Sequence, residues 1–193
     1  MLEKLTPDFR FASLTDIETE WLRQHHFDAL LLDIDNTLLV RGENLLPAGH
    51  LLWLQELRRA GVDVVLVSNN GGRRVEALPS QLTAGGIPLP VLTWAGKPLK
   101  QAFARAAARL KRPSVPGTGA PQGILVVGDQ LFTDVLGAHC SGLPAAWTRP
   151  LPGRDFIFTR MVRLAERWVA ERLEKQGRMP QETGKRKRSE EIG

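Results

Sequence analysis

The sequence predicts an α/β fold, a parallel sheet with helices on both faces, and three observations carry that prediction. The run Ala29–Leu32 has no polar residue alternating with its apolar ones, as in a strand buried on both faces. Apolar strand runs alternate with segments of helical periodicity along the chain, which implies right-handed crossovers. Three polar clusters, Asp33/Asp35, Ser68/Asn69 and Gly128/Asp129, each follow directly on an apolar run. In an open parallel sheet, ligands bind beyond the carboxyl ends of the strands, so the three clusters should gather on one rim.

Taken in order, Thr15-Asp16-Ile17-Glu18 has the form of a capping box, and a short helix should follow to about Gln24. Ala29–Leu32 forms the first core strand. Pro47 and Gly61 bracket a helix in which Leu51, Leu54 and Leu57 recur at helical spacing, with Arg58 and Arg59 in its last turn. Val62–Val67 is the second strand. A helix over about Arg73 to Ala84 comes next, with Pro79 threatening to break it, and Pro90–Trp94 reads as a short third strand. Pro98 should open a helix to about Lys111, with Leu99, Phe103, Ala106 and Leu110 on one face. Residues 112–122 read as a surface loop. Ile124–Val127, a helix over roughly Phe132 to Ser141, and a weak strand over Ala145–Thr148 complete the repeat.

The length of 193 residues suits one domain, and 42% hydrophobic with 24% charged residues describes an ordinary globular protein. We expect a single domain over 1–176, its core at about 27–170, and a basic, disordered tail over 177–193. No apolar stretch reaches the ~18 residues that span a bilayer, and the acidic first thirty residues argue against a signal peptide. With the single Cys140, these features lead us to expect a cytoplasmic protein without a disulfide framework. Cys140 itself reads as a small buried side chain. His25-His26 reads as a solvated helix end, since no metal-ligand partner is evident. The charge is uneven: residues 1–153 carry 15 Lys/Arg against 14 Asp/Glu, whereas residues 154–188 carry 11 against 5.

The chemistry concentrates in four stretches: Asp33-Ile34-Asp35-Asn36-Thr37, Ser68-Asn69-Asn70, Lys97-Pro98, and Gly128-Asp129-Gln130 with Asp134. Each is weak alone; an Asp/Asn turn after a strand, for example, needs no function. Together they match what phosphoryl transfer requires. A carboxylate can accept the phosphoryl group. Acids converging on one point suit Mg2+, a hard cation that prefers oxygen. Lys97 supplies a cation, Ser68 and nearby backbone N–H groups supply donors, and Asp129 completes the metal site.

On these motifs the chain resembles the haloacid dehalogenase (HAD) superfamily, and within it the small YqeG-type phosphatases of subclass IIIA. The resemblance implies a Rossmann-like three-layer sandwich with a five-stranded parallel sheet in the order 5-4-1-2-3. It implies that Asp33 is the nucleophile and also binds Mg2+. Asp35 would be the general acid/base, its backbone carbonyl also on the metal. Ser68, with Asn69 beside it, would hold the phosphoryl group; Lys97 would offset charge on nucleophile and phosphate; Asp129 would ligate the metal. Thr37 and Asp134 would support these groups. Asn36 stands where many relatives carry glycine, a departure the YqeG-type pattern allows.

About 30 residues separate Thr37 from Ser68 and 26 lie between Asn70 and Lys97, which leaves no room for a cap domain. An uncovered site suits a phosphate displayed on something large. From Phe156 to Leu173, Ile157, Met161, Leu164, Trp168 and Val169 recur at helical spacing among Arg160, Arg163, Arg167 and Arg172. That helix either packs on the sheet with a solvated basic face or forms a surface over 156–188 for an anionic membrane or acidic partner, which would place the protein peripherally. Lys185–Arg188 reads as tail that can attract nucleic acid or acidic lipid. By analogy within the family, phosphatidylglycerophosphate is one substrate to expect. The alternatives are a phospho-storing receiver-like module and a non-catalytic module binding nucleic acid or membrane.

Overall fold

A computed structural model describes residues 2–110, 123–152 and 157–183, with the backbone alone at 74 and 157–161. The expected loop at 112–122, the side chains of Ile157, Arg160 and Met161, and the basic run Lys185–Arg188 lie outside the described residues.

Seven strands form one parallel sheet: β1 (Phe9–Phe11), β2 (Ala29–Asp33), β3 (Asp63–Val67), β4 (Val91–Leu92), β5 (Ile124–Gly128), β6 (Ala145–Thr148) and β7 (Glu182–Thr183). Their order is β4-β3-β2-β5-β6-β1-β7. This corrects the expected count of five, and with it the order of the whole sheet, while β2 to β6, the five strands expected, keep the relative order 5-4-1-2-3 within it. The two additional strands extend one edge, β1 lying between β6 and β7. They are three and two residues long and are fixed by backbone pairing at the edge, so neither left an apolar run to read. Glu182–Thr183 fall in the stretch expected as tail.

Alternation along the strands builds a layer of helices on each face. Leu30, Leu32, Leu66 and Val127 pack with Leu22 of α1 (Thr19–Gln24), Leu54 and Leu57 of α2 (Ala48–Arg59), and Leu78 of α3 (Arg73–Ala84). Leu31, Val65, Val67 and Val126 face the other way, onto Phe103 of α4 (Lys100–Ala107), Ala138 of α5 (Leu136–Cys140), and Val169 and Leu173 of α6 (Ile157–Lys175).

Several local expectations are corrected. The capping box is at Ser13–Asp16 and caps a 3-10 turn over Leu14–Asp16, while Glu18 stands at the N-cap of α1 without a side-chain cap. α3 runs through Pro79. Leu78 and Leu82 flank the proline and are wholly buried, so packing outweighs the one hydrogen bond it removes. Pro98 does not open α4: Lys97–Pro98 is a cis peptide and Leu99 is the N-cap, its side chain exposed. The segment expected as one helix from Phe132 starts as a π-turn over Leu131–Val135 and becomes α5. Among the described side chains of α6 the buried ones are Glu166, Val169 and Leu173, while Leu164 and Trp168 are exposed at 64% and 61%. At 100° per residue, Leu164 and Glu166 lie about 200° apart around the helix. The helix thus carries two stripes, and the more conspicuous one faces outward.

The first residues are stapled to the end of α5. The Asp8 carboxylate accepts from the His139 ring and the Ala145 N–H, both at 2.8 Å, and the other His139 ring nitrogen lies 2.8 Å from the Lys4 carbonyl. Its bond to Asp8 raises the His139 pKa, against the effect of burial. Despite burial, bonds to His139 and Ala145 lower that of Asp8. The pair therefore stabilises the fold above the ordinary aspartate range, and its contribution is lost as pH rises through the raised histidine value. We expect Asp8→Asn to lower the thermal midpoint more at pH 6 than at pH 9; equal losses at both would contradict the ion pair.

Candidate active site

The site is built at the carboxyl rim of the sheet. β2 ends at Asp33, and the chain turns at once: the N–H groups of Leu38 and Leu39 donate to the Ile34 carbonyl, and Asp35 bridges to Leu39. The turn needs a left-handed residue, and Asn36 fills that place at φ +64°. Asparagine tolerates this region better than most residues, which accounts for an amide where glycine would serve. His50 of α2 lies 2.7 Å through its Nδ1 from the Leu38 carbonyl and ties the turn to the helical layer.

The acids converge. Carboxylate oxygens of Asp33, Asp129 and Asp134 lie within 4.8 Å of one another, and all three residues are buried. Lys97 Nζ donates to Asp33 and Asp134 at 2.6 Å each and to the Val67 carbonyl at 3.2 Å. Burial pushes the Asp33 carboxyl up from 3.8 to about 6, against the pull of Lys97. Burial, then Asp33 and Asp134, push Asp129 well above the usual carboxylate range, against Arg163. Burial alone would lower the Lys97 pKa, but its two carboxylates raise it above the ordinary lysine value. Asp33 Oδ2 is buried without a hydrogen-bond partner among the described residues.

That donor set fits a hard divalent cation. Oxygen ligands at ~2.1 Å lie at most roughly 4.2 Å apart across the ion, so three buried carboxylate oxygens within 4.8 Å of one another are near the spacing such an ion needs. The structure places Asp134, expected only as support, in this cluster, whereas the Asp35 carboxylate is outside it. Asp35 Oδ2 instead accepts from Ser68 Oγ at 2.9 Å and from Asn70 Nδ2 at 2.8 Å.

The remaining expected residues are all at the rim, with particular partners. Ser68 is fully buried; its hydroxyl also accepts from the Asn70 N–H at 2.9 Å. Asn69 clamps the following motif, accepting from the N–H groups of Gly96 and Lys97 and donating to the Lys97 carbonyl. Thr37 Oγ1 donates to Asp129 Oδ1 at 3.3 Å. Gly128 has a steric reason: a Cβ there would meet the Asp134 carboxyl carbon at 2.3 Å.

Sequence reasoning missed two residues on α6. Arg163 Nη2 donates to Asp129 Oδ2 at 2.8 Å. Glu166 Oε1 accepts from the Phe132 N–H at 2.9 Å, and burial raises its pKa to about 7. The available signal was Glu166 in the stripe shared by Val169 and Leu173. A cleft of about 190 Å3 opens at Asp33, lined also by Asp35, Arg41, Asn70, Lys97 and Gln130 among others.

The family described as mitochondrial PGP phosphatase matches residues 2–150 of this chain. The probable phosphatase YqeG of Bacillus subtilis (strain 168) is 31% identical over 178 residues, covering 92% of this chain and 96% of that protein. Among solved structures, an uncharacterized protein from Listeria monocytogenes serotype 4b aligns with a TM-score of 0.50 at 16% identity, over 68% of this chain and 85% of that one, a likeness of fold alone. The putative HAD-hydrolase YfnB from Bacillus subtilis, solved bound to magnesium, aligns over 63% of this chain and 88% of its own at 16% identity, with a TM-score of 0.37.

Proposed function

Because the chain belongs to the mitochondrial PGP phosphatase family and is a phosphatase of the haloacid dehalogenase type, we propose that it hydrolyses phosphomonoesters with Mg2+ through a phosphorylated Asp33. The observation that carries this is the Asp33 carboxylate: it lines the cleft, Lys97 fixes one oxygen, and the other has no hydrogen-bond partner among the described residues. Asp33 attacks phosphorus while the bond to the leaving alcohol breaks, and Asp35 gives that oxygen its proton. Water then attacks the phosphoryl group, yields a proton to Asp35, and frees Asp33 and phosphate. Bound Mg2+ supplies positive charge to the phosphoryl oxygens. Asp33, Asp129 and Asp134 would hold it. The Asp35 carbonyl remains a proposed further ligand, and Ser68, Asn69, Lys97 and backbone N–H groups the phosphate-binding set.

The cleft is smaller than the roughly 300–1,000 Å3 of pockets that enclose whole ligands, so it suits the phosphoryl end of a larger substrate. A lipid-borne phosphate such as phosphatidylglycerophosphate agrees with the family description and with the exposed Leu164 and Trp168 beside Arg167 and Arg172. Arg172 lies 5.6 Å above the Trp168 ring, an arrangement that suits an anionic interface. No helix among the described residues is long and apolar enough to cross a membrane, so this contact would be peripheral. The test compares a soluble aryl phosphate with a phosphomonoester lipid in anionic vesicles. EDTA should abolish both activities and Mg2+ restore them; EDTA-resistant turnover contradicts the metal reading. Leu164→Ser/Trp168→Ser should lose vesicle turnover by about tenfold and keep aryl phosphate hydrolysis. Equal rates on vesicles would remove the lipid reading and leave the phosphatase standing.

A further inference from the structure

We propose that Arg163 of α6 is a positioning residue for the divalent-ion site, holding the Asp129 carboxylate in the orientation the ion requires; this rests on the Mg2+ reading above. Asp129 has a wholly buried side chain, and its two oxygens are treated differently. Oδ2 has the Arg163 guanidinium at 2.8 Å, a short charge-assisted bond, whereas among the described residues Oδ1 has the longer contact with the Thr37 hydroxyl at 3.3 Å. The firm bond therefore fixes the carboxylate through one oxygen and leaves the other weakly engaged among the acids of the cluster.

The main chain at Asp129 is fixed independently, by Trp147 Nε1 donating to its carbonyl at 2.8 Å. With backbone and Oδ2 both held, rotation of the carboxylate is the freedom that Arg163 removes. One turn further along α6, Glu166 holds the Phe132 N–H, on the π-turn that carries Asp134. A single helix thus braces both segments that supply the distal acids. Anchoring α6 does not call for this ion pair, because Val169 and Leu173 already bury the helix against the sheet. Buried ion pairs contribute little net stability compared with apolar contacts.

Mg2+ titrated calorimetrically into the full chain tests this without reference to turnover. Wild type and Arg163→Gln are compared, with Arg163→Lys as the conservative variant and Asp33→Asn as the control for the metal site itself. We expect Arg163→Gln to bind Mg2+ about 10–100-fold more weakly, the range for loss of a group that orients a metal ligand. Arg163→Lys should recover part of the loss, since it keeps the charge without the fixed fork. Unchanged affinity in Arg163→Gln overturns the proposal and leaves a structural ion pair. Tighter binding also overturns it, by showing that Arg163 competes with the ion. Should Arg163→Gln fail to fold, Arg163→Lys decides: about fivefold weaker binding supports positioning, and wild-type affinity overturns it. A wild type that binds no Mg2+ overturns this proposal together with the metal reading, whereas binding lost in Asp33→Asn and kept in Arg163→Gln overturns this proposal alone.

Discussion

Asp33→Asn should abolish turnover of an aryl phosphate, by roughly 10^4-fold or more, while the protein stays folded. An amide cannot serve as the nucleophile, and no other carboxylate of the cluster replaces it: Asp134 is engaged by Lys97 and by the Gln130 N–H, and Asp129 by Arg163. The stability of the variant carries further information. Asp33 has a folded-state pKa of about 6 against an ordinary 3.8. Its ionisation therefore destabilises the native state, a cost that accrues as pH rises from about 4 to about 6 and stays constant above that. At neutral pH it is on the order of 3 kcal/mol, with the attraction of Lys97 already included. Asp33→Asn should thus match or exceed wild type in thermal midpoint at pH 7 without metal and show no such gain at pH 4. A large loss of stability at pH 7 would contradict this reading of the cluster.

Lys97→Met should be damaging in both respects. The ammonium side chain is 3% exposed and is the cation shared by Asp33 and Asp134. Its removal leaves two buried carboxylates facing each other, a change that typically costs about 3–5 kcal/mol. Those carboxyls would then titrate higher in the folded state, so the defect should be smallest near pH 4 and grow towards neutrality. Mg2+ should restore part of the loss, since an ion bound at 100 times its Kd adds about 2.7 kcal/mol. Turnover should remain low even in the stabilised protein, because neither Asp33 nor the incoming phosphate has its cation. Thermal scans at several pH values with and without Mg2+ check this; a uniform loss at all pH values would mean simple cavity damage.

The parallel sheet and its polar rim were legible because burial on both faces leaves uninterrupted apolar runs and because each run ends in a polar cluster. Ala29–Leu32 followed by Asp33 is the clearest instance. What stayed hidden was what tertiary context decides. β1 and β7 are too short to leave a pattern and exist through edge pairing. Asp134 followed its motif by five residues with no local sign that it would meet Asp33, because a π-turn carries it there. Ser68 followed its strand at the rim as expected, but that its hydroxyl donates to Asp35 was not visible in the sequence. In α6 the stripe with Trp168 drew attention, while Glu166 and Arg163 looked like ordinary surface charges on an amphipathic helix.

The nucleophile can be identified by chemical trapping during turnover. Borohydride reduces an aspartyl phosphate to homoserine, and peptide mass spectrometry locates the converted residue. With Mg2+ and substrate present, conversion should occur at Asp33, and not when either is omitted or in Asp33→Asn. Sustained turnover with residue 33 unmodified, or conversion at Asp35 or Asp129 instead, would contradict the account.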